Sequence, residues 1–312
     1  MPWRRPAAHR YVPGVTYLSP LGYLLGVEGV ALLRAAREGT ADREFVEARI
    51  DEVRALLDNP ALRQAGAVTA VPGAISTTDV YRKWAPTYDE PGNGMIDIEQ
   101  PIVRGILDGL PAGTALDAAC GTGRHAAYLA GLGHRVIGVD QSAEMLARAA
   151  SRLPEADLRR ADLERLPLAD DSVDTVVCGL ALAYLPRLAP VMAEFARVLR
   201  PGGHLVISDA HLLLSYVRPT IPHGPGPDGR PSIVAEYHRP LSAYLSAALP
   251  LGFQVRRCEE PGRPTSGAVD GGTPRTEMSW DLLRWCPEAA AAAHDGLPVV
   301  VIWHFQLGAA EA

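Results

Sequence analysis

The chain has 312 residues, 47% of them apolar, which is enough to bury a sizeable core and excludes wholesale disorder. A net charge of −6 argues against a polyanion-binding surface, and an aromatic content of only 6% leaves little for base stacking. Lys83 is the sole lysine among 30 cationic side chains, a skew that points to GC-rich coding rather than to function.

Four cysteines, Cys120, Cys178, Cys258 and Cys286, are far apart and form no CxxC pair. Neither a zinc site nor a disulfide framework is expected, and a reducing cytoplasm is the natural compartment. Arg4, Arg5 and Arg10 precede an apolar stretch from Tyr17 to Leu33. Pro20, three glycines and Glu28 break that stretch, so it reads as a folded helix rather than a signal peptide or a membrane span.

Residues 1–16 read as irregular. Residues 21–37 have helical period with more than one apolar face, which calls for cover from neighbours. In the next run Val46, Ile50, Val53 and Leu57 fall at helical spacing, with Asp42 and Glu44 in the first turn, favourable against the helix dipole. Together these predict an N-terminal helical hairpin, either a dimer interface or a lid. Asn59-Pro60 ends it, and a linker is expected up to residue 78. The remainder, residues 79–312, reads as one domain with an acceptor region at 212–298.

From Ala115 onward, short apolar runs alternate with amphipathic stretches. Strands are expected at ALDAA, at 136–140, 157–161, 173–180 and 204–210, with helices between them. Ser142 is a plausible cap for the second of these helices, and Pro201-Gly202-Gly203 closes the last. This alternation predicts an α/β fold, a doubly wound, Rossmann-like, mostly parallel sheet with an N-terminal helical extension. After His211 come a Pro/Gly-rich segment, a helix near 241–249, a strand from Phe253, a loop at 261–278, a helix near 279–294 and a last strand at 299–307.

The strongest local signal is Asp117-Ala-Ala-Cys-Gly-Thr-Gly-Arg-His, which closes the first strand and opens the first helix. Gly121 and Gly123 let the backbone turn sharply and approach a ligand, and helix-start N–H groups then face its polar end. The string also matches a nicotinamide dinucleotide fingerprint. Asp117, however, would repel a pyrophosphate and suits a ligand with an ammonium group. Asp140 ends the next strand, where a carboxylate can accept both ribose hydroxyls. Asp162 and Leu163 are placed to meet an adenine amine, and Met145 its face.

At this point the chain resembles the class I S-adenosylmethionine-dependent methyltransferases. The pieces that match are LDAACGTGRH, VIGVD, ADLERLPLADDSVDTVVCGLAL and LRPGGHLVISD, with VYRKWAPTYDEP similar to a YxxxAxxYD lead-in helix. The resemblance covers roughly residues 79–260. It implies S-adenosylmethionine as cofactor, with Gly121 and Gly123 at its methionine end and Asp117 near the ammonium. Asp140 would hold the ribose, Asp162 and Leu163 the adenine, and Tyr81 and Tyr88 would close the cover. Ala119, Gln141, Met145 and Gly179 complete the expected set. Where the family often has histidine, this chain has Tyr184. A non-catalytic binding or scaffold protein and a nicotinamide enzyme are the alternatives on the same fold.

Methyl transfer needs a base only when the acceptor keeps a proton. His211, directly after the fifth strand, is the best-placed candidate, with Asp209 to orient it. His238 is second and Tyr184 third, the latter more a wall or hydrogen-bond donor. No histidine pairing suggests a catalytic metal. Arg124 could meet a carboxylate, although a solvated helix-start arginine is the commoner outcome. Tyr216, Tyr237, Tyr244, Trp280, Trp285 and Trp303 suggest a flat, partly apolar small-molecule acceptor, such as an aromatic or indole-like secondary metabolite. No nucleic-acid or membrane partner is expected, and an oligomer through the N-terminal helices is an open expectation.

Overall fold

Two sheets organise the chain, and the larger one positions the site. A computed structural model describes residues 14–90, 93–262 and 279–309; most of the segments expected to be irregular at 1–16 and looped at 261–278 lie outside these.

A short strand β1 (Thr16–Leu18) leads into helices α1 (Pro20–Glu38) and α2 (Arg43–Asp58). Ser19 caps α1 by accepting the Gly22 N–H, Pro20 opens its first turn, and Gly39 ends it in the left-handed region. Asp42 caps α2 through the Phe45 N–H at 2.8 Å. Leu24, Val27 and Ala31 of α1 pack with Leu56 and Leu62 against Leu282, Leu283, Ala289 and Ala293 near the C-terminus. One apolar face of the hairpin is therefore covered by the chain itself, while Leu33, Ile50 and Leu57 stay exposed.

The expected linker is instead helix α3 (Pro60–Gln64) and strand β2 (Val68–Ile75). β2 pairs antiparallel with β1. Its Ala/Gly/Pro content hides a strand whose other partner lies more than 150 residues away. Helices α4 (Thr77–Trp84) and α5 (Gly94–Leu107) follow.

Then the alternating part begins: β3 (Thr114–Ala118), α6 (Arg124–Gly131), β4 (Arg135–Asp140), α7 (Ala143–Arg152), β5 (Asp157–Arg160), β6 (Val173–Gly179), α8 (Ala189–Val198) and β7 (Leu199–Ala210). Helix α9 (Leu212–Val217) and strands β8 (Gly224–Pro225) and β9 (Pro231–Val234) occupy the Pro/Gly-rich segment. Helix α10 (Leu241–Ala248), β10 (Phe253–Glu259), α11 (Pro287–His294) and β11 (Val300–Leu307) complete the chain.

The large sheet runs β10-β11-β7-β6-β3-β4-β5 and the small one β1-β2-β9-β8. β3 to β7 are parallel, whereas β11 is antiparallel to both its neighbours. Alternation along the strands divides the core between two faces. Leu116, Val176, Leu205 and Phe305 pack against α8 and α10, while Ala115, Val177, Val206 and Ile302 pack against α5 and α6. Strand order reverses between β3 and β6, so a crevice opens at their C-terminal ends. No helix among the described residues is long and apolar enough to cross a membrane.

Candidate active site

The loop from β3 into α6 has three residues with positive φ, Ala119 at 57°, Gly121 at 53° and Gly123 at 80°. A Cβ on Gly123 would come within 3.1 Å of Ala149, so close packing on α7 demands glycine there. Gly121 differs: a Cβ would meet nothing within 4 Å, and the loop is open on that side. Asp140, at the end of β4, locks the loop. Its two carboxylate oxygens accept the Gly121 N–H at 2.9 Å and the Ser142 N–H at 2.8 Å. Each oxygen keeps a further lone pair for a ligand. Burial pushes the Asp140 pKa up, against these backbone hydrogen bonds.

Asp117 serves the fold first. It is buried, and one oxygen accepts the Ala126 N–H at 2.7 Å in the first turn of α6, where a carboxylate is favoured. Gln141 donates to Asp162 at 3.0 Å, both exposed at the β4–β5 end of the crevice. The side chains of Met145 and Leu163 are buried. Ser142 caps α7 by accepting the Met145 N–H.

On the other side of the crevice, the ring of Tyr81 on α4 lies 5.8 Å from that of Tyr88 and 5.6 Å from that of Tyr184. Burial pushes the pKa of all three phenols up, that of Tyr88 to about 12. Tyr184 is therefore a neutral donor, not a base. Two anchors have no role assigned from the sequence: Asp89, the last residue of the YxxxAxxYD match, and Glu99. Asp89 accepts the Thr122 hydroxyl at 2.8 Å and pairs with Arg152 at 2.7 Å. Glu99, on α5, is fully buried and bonds His125 at 2.8 Å and Ser208 at 2.8 Å. Arg124 is not solvated, since it pairs with Glu99 at 2.9 Å and its side chain is 15% exposed. Burial raises the Glu99 pKa, but the His125 hydrogen bond and the charges of His125 and Arg124 outweigh it and hold the carboxyl at about 2. Gly179 makes room for this cluster; a Cβ there would sit 2.9 Å from His125 Nε2.

A cavity of about 920 Å³ lies between the C-terminal ends of β6 and β7 and the small sheet. Tyr81, Trp84, Tyr88 and Tyr184 line it, with Asp209, Arg218, His223, Glu236 and His238. Of the aromatic set inferred for the acceptor, Tyr216, Tyr237, Tyr244, Trp285 and Trp303 do not. Tyr244 and Trp303 are buried in the core and Tyr216 is 76% exposed, while Trp285 packs on the N-terminal cluster. The side chain of Trp280 lies outside the described residues.

His211 is absent from the cavity lining. Its Nδ1 accepts the Leu213 N–H at 3.1 Å as the cap of α9, and its Nε2 bonds Glu260 at 2.7 Å. With both ring nitrogens engaged, it holds the turn after β7. Asp209 does not orient it. The Asp209 carboxylate accepts the Tyr244 hydroxyl at 2.6 Å and the Ala183 N–H at 3.1 Å, and burial pushes its pKa up to about 6. His238 does face the cavity, with its Nδ1 2.6 Å from Ser215 Oγ and its Nε2 3.6 Å from Glu236.

This is the sheet order and crevice of a Rossmann-like methyltransferase. Residues 116–207 match the family model described as a methyltransferase domain. The chain is 33% identical over 220 residues to an uncharacterized 37.1 kDa protein of transposon TN4556 from Streptomyces fradiae, covering 65% of this chain and 58% of that one. It is 34% identical over 131 residues to a demethylmenaquinone methyltransferase of Beutenbergia cavernae, covering 42% and 55%. The chain thus spans little more than half the length of these curated relatives. A chain from the complex of the Haloferax volcanii Trm112 methyltransferase activator with a methyltransferase superposes with a TM-score of 0.53 at 19% identity, covering 76% of this chain and 99% of that one. That likeness is one of fold. Residues 116–207 are thus a methyltransferase domain of the class I S-adenosylmethionine-dependent kind. The open side of Gly121 and the spare lone pairs of Asp140 suit the family's cofactor, a nucleoside with an amino-acid tail.

Proposed function

We propose that the protein transfers a methyl group from S-adenosylmethionine to a small, flat, partly apolar acceptor. Such an acceptor would be an aromatic or indole-like secondary metabolite, methylated at carbon, nitrogen or oxygen. The observation that carries this reading is the 920 Å³ cavity at the C-terminal ends of β6 and β7, walled by Tyr81, Trp84, Tyr88 and Tyr184. Bound at the glycine loop and Asp140, the cofactor would supply an electrophilic methyl on a positively charged sulfur.

The chain's part is alignment and exclusion of water, which is most of what an in-line displacement needs. Asp140 holds the ribose, Gly121 and Gly123 admit the methionine end, and Gln141 with Asp162 border the adenine. Tyr81 and Tyr88 cover the reacting end, and Tyr184 donates a hydrogen bond as a neutral phenol. The base, where the acceptor needs one, is His238 rather than His211, because only His238 lines the cavity. A relative named for demethylmenaquinone agrees with a ring-shaped acceptor.

The test is a screen of aromatic metabolites with methyl-labelled cofactor, read by product mass. A labelled small-molecule product supports the reading. Labelling of protein or RNA alone refutes the acceptor class.

A further inference from the structure

We infer that the acceptor carries both an ammonium and a carboxylate group, as an aromatic α-amino acid does, and that Arg218 and Glu236 read the two. This rests on the methyltransferase reading for placing the acceptor in the cavity. Arg218 follows α9 and Glu236 follows β9, and their side chains form an ion pair in the cavity wall, 24% and 14% exposed. The closest approach is between one terminal nitrogen of the guanidinium and one oxygen of the carboxylate. A guanidinium has five N–H donors and a carboxylate about four acceptor sites, so both groups retain capacity toward the cavity. His223 adds a neutral donor on the Arg218 side. Its Nδ1 accepts the Val234 N–H at 3.2 Å, which fixes the tautomer with Nε2–H as a donor, and its ring lies 5.7 Å from Trp84.

Charge balance selects the ligand. The pair sums to zero; of the other carboxylates in the lining, Asp209 is engaged by Tyr244, Ala183 and Ala210, and Glu90 is exposed to solvent, while much of the remaining wall is apolar or aromatic, with Leu214, Ile221 and Ile233 beside Tyr81 and Trp84. A monoanion on Arg218 would face the charge of Glu236, and a monocation on Glu236 would face Arg218. Either leaves a partly desolvated charge poorly compensated. A zwitterion opposes each charge with its counterpart: carboxylate to Arg218 and His223, ammonium to the remaining oxygen of Glu236. A mere tether between α9 and β9 would gain little from ionic groups, because the attraction within a partly buried pair hardly exceeds its desolvation cost. An ion pair set in the wall of a ligand cavity gains from a ligand that bonds both members.

The experiment is calorimetry on the full chain saturated with S-adenosylhomocysteine, using L-tryptophan, L-tyrosine and L-phenylalanine, each beside its amide and its N-acetyl derivative. At least one free amino acid should bind about tenfold or more tighter than both its singly charged derivatives, the scale of one lost charged hydrogen bond. Arg218→Gln should abolish the preference over the amide, and Glu236→Gln the preference over the N-acetyl form. Retained S-adenosylhomocysteine binding checks the fold of each variant, with Arg218→Lys as the milder substitute. Equal binding of the three forms, or no binding of any amino acid to protein that holds S-adenosylhomocysteine, overturns this inference and leaves the methyltransferase reading intact. Failure of S-adenosylhomocysteine itself to bind overturns both.

Discussion

Thr122 donates its hydroxyl to Asp89 at 2.8 Å, and this one bond joins the segment that covers the crevice to the loop beneath it. Thr122 is buried, and Arg152 holds the other oxygen of Asp89 at 2.7 Å. Closing the cover therefore requires a bond that a valine could not make. Thr122→Val should weaken S-adenosylhomocysteine binding by several-fold, about 1 kcal/mol for one hydrogen bond. Calorimetry decides it; unchanged affinity would mean that the cover stays closed without this tie.

Asp140 carries more. It fixes Gly121 and Ser142 through their N–H groups and offers its remaining lone pairs to the ribose. Asp140→Ala should cost on the order of 1.5–3 kcal/mol of cofactor affinity. Asp140→Asn, with one acceptor oxygen left, should fall between the variant and the wild type. Equal affinity in all three proteins would remove Asp140 from the site.

Glu99 ties α5 to the glycine loop and to β7 through His125 and Ser208. Its folded-state pKa, held at about 2, lies below the ordinary value of 4.5. The sign follows. The carboxylate stabilises the native state fully above about pH 4.5, and that contribution is lost as the pH falls toward 2. Glu99→Gln should destabilise at neutral pH by roughly 3 kcal/mol, because it leaves Arg124 and His125 without their anion. It should also flatten the loss of stability between pH 4.5 and 2. Denaturant titrations across that range measure both, and an unchanged acid limb would show that Glu99 is not the group responsible.

What was legible in the sequence was local. Asp117 to Gly123, Asp140 and the strand–helix alternation announce themselves because each depends on neighbours in the chain, on a positive φ or on a strand end. Glu99 and β2 were invisible for the opposite reason. The value of Glu99 lies in Ser208, more than 100 residues away, and β2 is a strand only because β9 pairs with it. The acceptor wall misled most. Tyr, Trp and Leu clustered after His211 suggested a pocket, yet Tyr244 and Trp303 point into the core while the cavity draws its aromatics from α4 and from the turn after β6. Composition reveals that apolar rings are present; it does not reveal which face of the fold they take.

The two histidines give the sharpest contrast. Replacing His211 removes the cap of α9 and leaves Glu260 without its partner. His211→Ala should therefore lower the melting temperature by about 2–4 °C, the scale of a lost cap near 1 kcal/mol, while the folded protein keeps turnover within a few-fold of wild type. His238 should behave the other way. Burial, then the charges of Arg218 and Arg239, push its pKa down to about 4. It is thus neutral, and able to take a proton, at every pH well above 4. With an acceptor that must lose a proton, turnover should rise as the pH climbs through about 4 and level off thereafter. His238→Gln should flatten that limb and lower the plateau by roughly 10²–10⁴-fold, with S-adenosylhomocysteine affinity unchanged. Ser215→Ala, which removes the hydroxyl 2.6 Å from His238 Nδ1, should shift the limb without abolishing it. If His211→Ala takes the large loss and His238→Gln does not, the proton leaves by a route outside the cavity and the assignment of His238 falls.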